Sequence, residues 1–368
     1  MSEVPDGERM PATQATSAGI PIRNVWHMLA YAWAGFREFR AIRRAQIDAE
    51  EAPTVDALLA LLLAHLVEQR LRVGLGRQYL DTSGVIRGVK GRIDFGESLK
   101  RLAFEQGMAF CSYESLDANI VSNQIVRSTL ARMSQVAWFG PSGESKLRHR
   151  LRRLVRDLDI VDLVEVNIEL VRRERLNKNS PDYQLMLAVC ELFWQSRMAT
   201  ENLGDRGGLG LDRELLTLSN VYERFVAEYY KFALSGWNVW PQKWLLWPSE
   251  AHSPYMPVMK PDLILEIKTT GQRVVLDTKF TAKSLTSSQY GTKQTFDPQH
   301  LYQLYSYLRS QEEQSVAHRN ARGVLLYPTV NQHLDEVVEI QGHRVRIATV
   351  DLAKPWSEVE ARLLEIVS

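Results

Sequence analysis

Several features that would assign this chain of 368 residues to a common class of protein are missing. Two cysteines, Cys111 and Cys190, are too few for a disulfide framework or a zinc site, and they fit a reducing cytoplasm. The longest apolar run, residues 57–64, is far shorter than the roughly 20 residues that span a bilayer. Residues 1–19 lack the apolar segment of a signal peptide, so we expect a flexible tail there and a cytoplasmic protein.

The net charge does not indicate nucleic-acid binding, and the sequence lacks a nucleotide-binding motif. The chain has 45 Lys and Arg residues against 44 Asp and Glu residues, so DNA binding would have to come from local basic patches. The sequence has no G-x-x-x-x-G-K-[ST] loop, and we do not expect the chain to hydrolyse nucleotides by itself. Its length suggests roughly two domains, and its 45% of hydrophobic residues can form a sizeable core.

Helical and strand-like patterns predict an α/β protein with two domains after the tail. Residues 20–202 form an α+β N-terminal domain, and residues 212–368 form a second domain with a mixed central sheet flanked by helices. The glycine-rich segment Leu203–Leu211 between them is the best linker candidate.

The most informative segment is Met259–Lys279, which we predict to be two strands joined by a tight turn around Gly271. Asp262 stands at the start of the first strand, and Asp277 and Lys279 stand at the end of the second. Residues two apart on a strand face the same way, and the returning hairpin brings Asp262 beside the other two. Two carboxylates and one amine at a sheet end suit a divalent metal and an activated water.

A Pro-Asp pair followed at hairpin distance by Asp-x-Lys matches the PD-(D/E)xK nuclease core, which predicts a restriction-endonuclease-like second domain. Asp262 and Asp277 would bind Mg²⁺, helped by the backbone carbonyl of Thr278. Lys279 would orient the attacking water or stabilise developing negative charge. The alternative is a surface hairpin with ordinary solvated charges, because D-x-K triplets are common.

The helices on either side of this hairpin supply further candidates. The helix before it carries Glu223 and Glu228, either of which could assist the metal or lie on a solvated face. The helix after it carries Gln303 and Tyr307 four residues apart, hence on one face, where they could position a phosphate or the lysine. Ordinary helix packing explains Tyr307 better than it explains Gln303, so Gln303 is the candidate catalytic residue.

Two weaker signals for nucleic-acid binding have simple explanations. The basic helix around residues 146–156 could follow a phosphate backbone, although a charge-rich face is usually just solvated. A group of tryptophans could stack on bases, but aromatic residues at this density are more often core, and we expect core. The group is Trp237, Trp240, Trp244 and Trp247.

In their order along the chain, these motifs resemble those of McrC, the nuclease subunit of the McrBC modification-dependent restriction system. The resemblance covers nearly the whole chain after residue 19. The segments that carry it are Ile20–Trp33, Gly88–Phe95, Leu116–Leu130, Pro261–Asp262, Asp277–Lys279 and His300–Leu308.

The resemblance implies a Mg²⁺-dependent DNA endonuclease that works with a GTP-hydrolysing AAA+ partner on double-stranded DNA carrying modified cytosine, 5-methylcytosine. It also implies that the N-terminal part inserts into the partner's ring and stimulates hydrolysis. We place the basic residues Arg87, Lys90 and Arg92 of a glycine-punctuated hairpin, Val85–Asp94, in that inserted element. A glycine-rich turn without any partner explains this segment about as well.

The family's metal-assisting acid matches Glu228 better than Glu223, so Glu228 joins Asp262 and Asp277 as the predicted metal ligands. Two other functions stay open. The chain could be a non-cutting regulatory subunit of an AAA+ ring, or a stand-alone repair nuclease that needs neither partner nor nucleotide.

Overall fold

The computed structural model describes residues 15–32, 52, 54–136, 144–177, 180–201, 209–248, 253, 255–280, 285–287 and 294–368. By their contacts the residues group into two compact units. The sheet unit comprises residues 1–59 with residues 195–368, and the middle unit comprises residues 60–194. No helix in the described part of the chain is long and apolar enough to cross a membrane.

The described residues form both helices and strands. The helices are α1 (Ile22–Ala32), α2 (Val55–Val73), α3 (Phe95–Lys100), α4 (Val121–Met133), α5 (Glu144–Asp157), α6 (Ile168–Asn177), α7 (Pro181–Glu201), α8 (Leu209–Ala233), α9 (Pro298–Arg309), α10 (Val316–Arg319) and α11 (Trp356–Val367). The strands are β1 (Gln78–Arg87), β2 (Arg92–Ile93), β3 (Met108–Asp117), β4 (Trp237–Pro241), β5 (Leu263–Ile267), β6 (Arg273–Thr278), β7 (Leu285–Ser287), β8 (Gln294–Phe296), β9 (Arg322–Thr329), β10 (Asp335–Ile340) and β11 (His343–Asp351).

The sheet unit is built on a mixed sheet with the strand order β10-β11-β9-β6-β5-β4. Strands β6, β9 and β11 run parallel, whereas β4, β5 and β10 pair antiparallel with their neighbours. The central strands β6 and β9 are buried along almost their whole length, as parallel strands covered on both faces are. The predicted α/β class with a mixed central sheet is confirmed.

The predicted hairpin is present as β5 and β6. Its turn is closed by a hydrogen bond from Ile267 N to Gln272 O of 2.9 Å. Gly271 takes a φ of 71°, the left-handed conformation that glycine adopts without strain. The apolar runs of both strands are buried, which fixes their register because a one-residue slip would turn those side chains to the opposite face.

Helix α9 connects the parallel strands β6 and β9 and begins where the sequence predicts. The Asp297 side chain accepts a hydrogen bond from Gln299 N (2.9 Å) and caps the helix. The helix lies close to β9 at Gly323, where a Cβ would stand 2.9 Å from Leu308 Cδ1 and 3.0 Å from Leu304 Cδ2. A Cβ there would force these two leucine side chains to shift, so the glycine lets α9 lie close to the sheet without displacing them.

The first helix, α1, belongs to the sheet unit, although the predicted domain limits place it with residues 20–202. Asn24 Nδ2 donates to the carbonyls of Leu352 (2.7 Å) and Lys354 (2.9 Å), and Arg224 Nε donates to Ala32 O (2.7 Å). The predicted assignment of partner binding to residues 20–202 and of nuclease activity to residues 212–368 stays a prediction.

The predicted tail and linker fall largely outside the described residues. Of the tail, residues 15–19 are described, and they form a turn in which Thr16 N donates to Ile20 O (2.8 Å). Of the linker Leu203–Leu211, only the last three residues are described, and they form the first residues of α8.

The predicted hairpin at Val85–Asp94 is wrong in its pairing. In the middle unit β3 lies between β1 and β2 and pairs antiparallel with both. The chain between them must therefore cross β3, and it does so closely, since a Cβ on Gly91 would lie 2.3 Å from Ser112 O. Gly91 (φ 66°) and Gly88 (φ 85°) permit this crossing.

Candidate active site

Asp262 and Asp277 lie directly across from each other at one edge of the mixed sheet. In the β5–β6 pair Leu263 stands opposite Leu276, so the next antiparallel pair outward is Asp262 opposite Asp277. The Asp262 carboxylate is held in place by β6 itself, because its Oδ2 accepts hydrogen bonds from Thr278 N (2.8 Å) and Thr278 Oγ1 (2.7 Å).

Asp277 is the most deeply buried of these groups, with 1% of its surface exposed. Burial, and then the nearby charge of Asp262, raise the pKa of its carboxyl to about 6, although Lys279 acts in the opposite direction. Lys279 Nζ forms an ion pair with Asp277 Oδ2. Apart from this ion pair, Oδ2 accepts no hydrogen bond from the described residues.

Lys279 is the first member of a short hydrogen-bonded chain that leads into α9. Its Nζ donates to Gln303 Oε1 (2.7 Å), and Gln303 Nε2 donates to Tyr307 OH (2.7 Å). Tyr307 is 6% exposed, and its hydroxyl donates to Lys260 O (3.4 Å). Tyr307 is therefore a core residue, as helix packing predicts, and its hydroxyl also supports Gln303.

Helix α8 presents Glu223, and not Glu228, to the two aspartates. Burial raises the pKa of Glu223, and the charge of Asp262 raises it further. Glu228 instead pairs with Lys231 on its own helix at 2.7 Å. Five residues along an α-helix correspond to a rotation of about 140°, so the two glutamates face different directions. Of the two candidates it is therefore Glu223, and not the predicted Glu228, that is within electrostatic reach of the aspartates, and assistance to a metal stays a prediction.

Three residues around the site make contacts that the sequence did not predict. Thr278 was considered for its carbonyl, but its amide and hydroxyl hold Asp262. Gln242 donates to Glu223 Oε1 from a backbone in the left-handed region, with a φ of 48°. His300 Nδ1 lies 3.0 Å from the Tyr327 hydroxyl. A left-handed non-glycine residue cannot be identified from its residue type, because it depends on the surrounding fold.

The two aspartates carry the oxygen donors that a divalent cation needs. Within the described ranges no three His, Cys, Asp or Glu side chains come together as a complete metal cluster. Mg²⁺ does not require one, since it keeps several waters and is usually held by one or two carboxylates with substrate phosphates. Asp262 and Asp277 provide two hard oxygen donors, and the buried Oδ2 of Asp277 has no protein partner among the described residues other than Lys279. This donor set fits a Mg²⁺-like cation.

Comparison with known proteins identifies the family. The family model described as "McrBC 5-methylcytosine restriction system component" matches residues 12–328. The chain belongs to this family. It is 27% identical over 351 residues to the type IV methyl-directed restriction enzyme EcoKMcrBC of Escherichia coli (strain K12), a match that covers 94% of this chain and 97% of that protein. The predicted resemblance to McrC is thereby confirmed.

A solved structure supports the fold. It is a half-complex from a tetradecameric assembly of Thermococcus gammatolerans McrB AAA+ hexamers with bound McrC. The chain matches it with a TM-score of 0.51 and 14% sequence identity, over 94% of this chain and 75% of that chain. At this identity the likeness concerns the fold alone.

The predicted partner-binding residues all belong to the middle unit. Arg87 ends β1, Arg92 begins β2, and Lys90 lies in the segment that crosses β3. All three side chains are exposed. Lys90 Nζ stands 4.3 Å from the centroid of the Tyr113 ring, a cation–π contact that restricts its position. Their role in binding a partner stays a prediction.

Proposed function

We propose that this chain is the Mg²⁺-dependent endonuclease subunit of a GTP-dependent restriction complex that acts on double-stranded DNA carrying 5-methylcytosine. The observation that carries the proposal is the cross-strand pair of Asp262 and Asp277, with Lys279 ion-paired to the buried Asp277. Membership of the McrBC family supports the DNA substrate and its modification.

Each residue of the site has a distinct task in this proposal. Asp262, fixed by Thr278, and Asp277 hold the cation with hard oxygen ligands. Mg²⁺ bound there would polarise the scissile phosphate and lower the pKa of a water ligand. The carboxylate of Glu223 reaches the same site electrostatically and assists it.

Lys279 supplies the positive charge that faces the reacting phosphate. Its ammonium group is restrained by Asp277 on one side and by Gln303 on the other. A restrained cation stabilises the negative charge that develops in phosphodiester hydrolysis better than a mobile one, because little reorganisation is needed. Gln303, itself held by Tyr307, therefore acts by positioning Lys279.

The partner in this proposal is an AAA+ GTPase. The matched structure contains AAA+ hexamers with bound McrC, and the sequence of this chain has no phosphate-binding loop of its own. We infer that the partner binds and hydrolyses GTP, and that the exposed basic residues Arg87, Lys90 and Arg92 contribute to stimulating that hydrolysis.

The test combines the chain with the AAA+ partner, GTP, Mg²⁺ and DNA with and without 5-methylcytosine. Asp277→Ala should abolish cleavage of the methylated DNA yet leave stimulation of GTP hydrolysis unchanged, because the site lies in the sheet unit and Arg87 in the middle unit. Glu336→Ala, which replaces an exposed acid on β10, should change neither activity and serves as the control.

The outcomes separate the proposal from its alternatives. Normal cleavage by Asp277→Ala would reject the assignment of the site. Stimulated GTP hydrolysis with no cleavage by the unaltered complex would indicate a non-cutting regulator. Robust cleavage without partner or nucleotide would indicate a stand-alone repair nuclease.

A further inference from the structure

The tryptophan-rich segment before the hairpin is partly exposed, contrary to the expectation that all of it is core. Trp237 and Trp240 are half-buried, but Trp244 is 68% exposed. Large apolar side chains follow it at the surface, including Tyr255 at 92% exposure. We call these residues the apolar ridge: Trp244, Leu246, Trp247, Tyr255, Met256 and Val258. Exposed apolar patches of this kind mark interaction sites.

The ridge lies next to the candidate site. Leu245 N donates to Met259 O (2.8 Å), and both side chains are buried in the core of the sheet unit. Because side chains alternate along extended chain, their neighbours Trp244 and Val258 point outward. Lys260, two residues after Val258, is exposed as well. Gln242, two residues before Trp244, donates its backbone N–H to Asp262 O (2.9 Å), so the two segments that carry the ridge meet beside the site.

Two exposed lysines lie beside the ridge. Lys243 directly precedes Trp244, and Lys260 follows Val258 by two residues. Lys243 Nζ lies 4.4 Å from the centroid of the Trp240 ring. Lys260 lowers the pKa of Glu223, so its charge acts on the active site. Lysines beside exposed aromatic rings are what a surface needs to bind phosphates and stack on bases together.

We propose that the apolar ridge binds bases of the DNA next to the cleavage site, with Trp244 stacking on a base that has left the duplex stack. The proposal rests on the proposed nuclease function, and it adds that cleavage involves locally opened DNA. Apolar and aromatic side chains inserted at a base step unstack it and kink the duplex. Lys243 and Lys260 contact the phosphates on either side, and this charge complementarity favours DNA over an apolar protein surface as the occupant.

The test compares two DNA duplexes that differ only in a central unpaired bubble. Binding of the full chain is measured by fluorescence anisotropy in EDTA, so that no cleavage occurs and the result does not depend on the proposed activity. The unaltered chain should bind the bubble duplex more tightly. Trp244→Ala should remove that preference, with binding to the bubble about 5- to 100-fold weaker, the range expected for one lost base stack. Lys243→Ala should weaken binding to both duplexes and reduce the salt slope by about one.

A matched pair of small substitutions controls for folding. Val258→Ala removes methyl groups from the ridge, where Val258 is 54% exposed, and Val316→Ala removes them from a position on α10 that is 71% exposed. Val316 lies at the opposite sheet edge, because its neighbour His318 contacts Arg273 at the start of β6. Only Val258→Ala should reduce the preference for the bubble.

Two results would overturn the proposal. One is unchanged binding of Trp244→Ala to both duplexes. The other is unchanged DNA binding together with loss of self-association or of partner binding, which would make the ridge a protein interface. Neither result bears on the Asp277→Ala cleavage test, so the ridge and the nuclease assignment can fail separately.

Discussion

Replacing Asp277 by asparagine should make the metal-free protein more stable while removing its activity. The pKa of this buried carboxyl lies at about 6 instead of its ordinary 3.8, a difference of about two units. At about 1.4 kcal/mol per unit, the ionised carboxylate destabilises the folded state by about 3 kcal/mol. Asparagine has almost the same shape and no charge, so the substitution removes this penalty.

The dependence on pH follows from the sign of the shift. The folded state binds the proton of Asp277 more tightly than the unfolded state, so the native protein loses stability as the pH rises from about 4 to about 6. The advantage of Asp277→Asn in free energy of unfolding should therefore be about 3 kcal/mol from pH 7 upward and about half of that at pH 5. Urea unfolding at pH 5, 6, 7 and 8 in EDTA measures it.

Asp335, also in the sheet unit, offers a control because its pKa is shifted in the opposite direction from that of Asp277. Hydrogen bonds from Arg346 and then Arg362 lower the pKa of its carboxyl to about 2, so the ionised form stabilises the fold at every pH above about 4. The Asp335 side chain is 21% exposed, and screening by solvent reduces the effect. Asp335→Asn should therefore lose about 1–2 kcal/mol, with little change between pH 5 and pH 8.

Mg²⁺ extends the same experiment. A bound cation neutralises the Asp277 carboxylate in the native state, so saturating Mg²⁺ should stabilise the unaltered protein and narrow its difference from Asp277→Asn. An Asp277→Asn variant that is no more stable at pH 7, or a stability difference that does not change between pH 5 and pH 7, would refute the reasoning.

Two further predictions concern residues on either side of the site. Glu223→Gln should reduce cleavage by the partner complex about tenfold or more, because the charge of its carboxylate acts on the aspartates. Glu228→Gln should leave the cleavage rate unchanged. Loss of cleavage in Glu228→Gln but not in Glu223→Gln would restore the assignment made from sequence. Alanine at Arg87, Lys90 and Arg92 together should reduce stimulation of GTP hydrolysis but leave the melting temperature within about 2 °C, since all three side chains are exposed; full stimulation by the triple variant would remove them from the partner interface.

The sequence predicted best those features that depend on neighbouring residues. The β5–β6 hairpin follows from two apolar runs and a glycine turn, and α9 follows from its Asp297 cap and first-turn Pro298. The opposition of Asp262 and Asp277 then follows from strand pairing alone. Such signals need no knowledge of the rest of the fold.

The features that were missed depend on segments distant in the chain. Nothing near Val85–Asp94 indicates that β3, some twenty residues later, separates β1 from β2. Likewise, the composition of residues 237–247 cannot show that Leu245 turns inward while Trp244 turns outward. Both depend on long-range pairing, with β3 in the first instance and with Met259 in the second.

The choice between Glu223 and Glu228 shows the same dependence at the active site. Which face α8 turns toward the aspartates is fixed by its packing, and α1 contributes to that packing. Arg224, next to Glu223, donates to Ala32 O (2.7 Å), and the Tyr31 ring packs edge-on against Phe225. A segment from the start of the chain therefore helps to set the rotation of a helix that begins at Leu209. For this reason the candidate site cannot be understood from residues 212–368 alone.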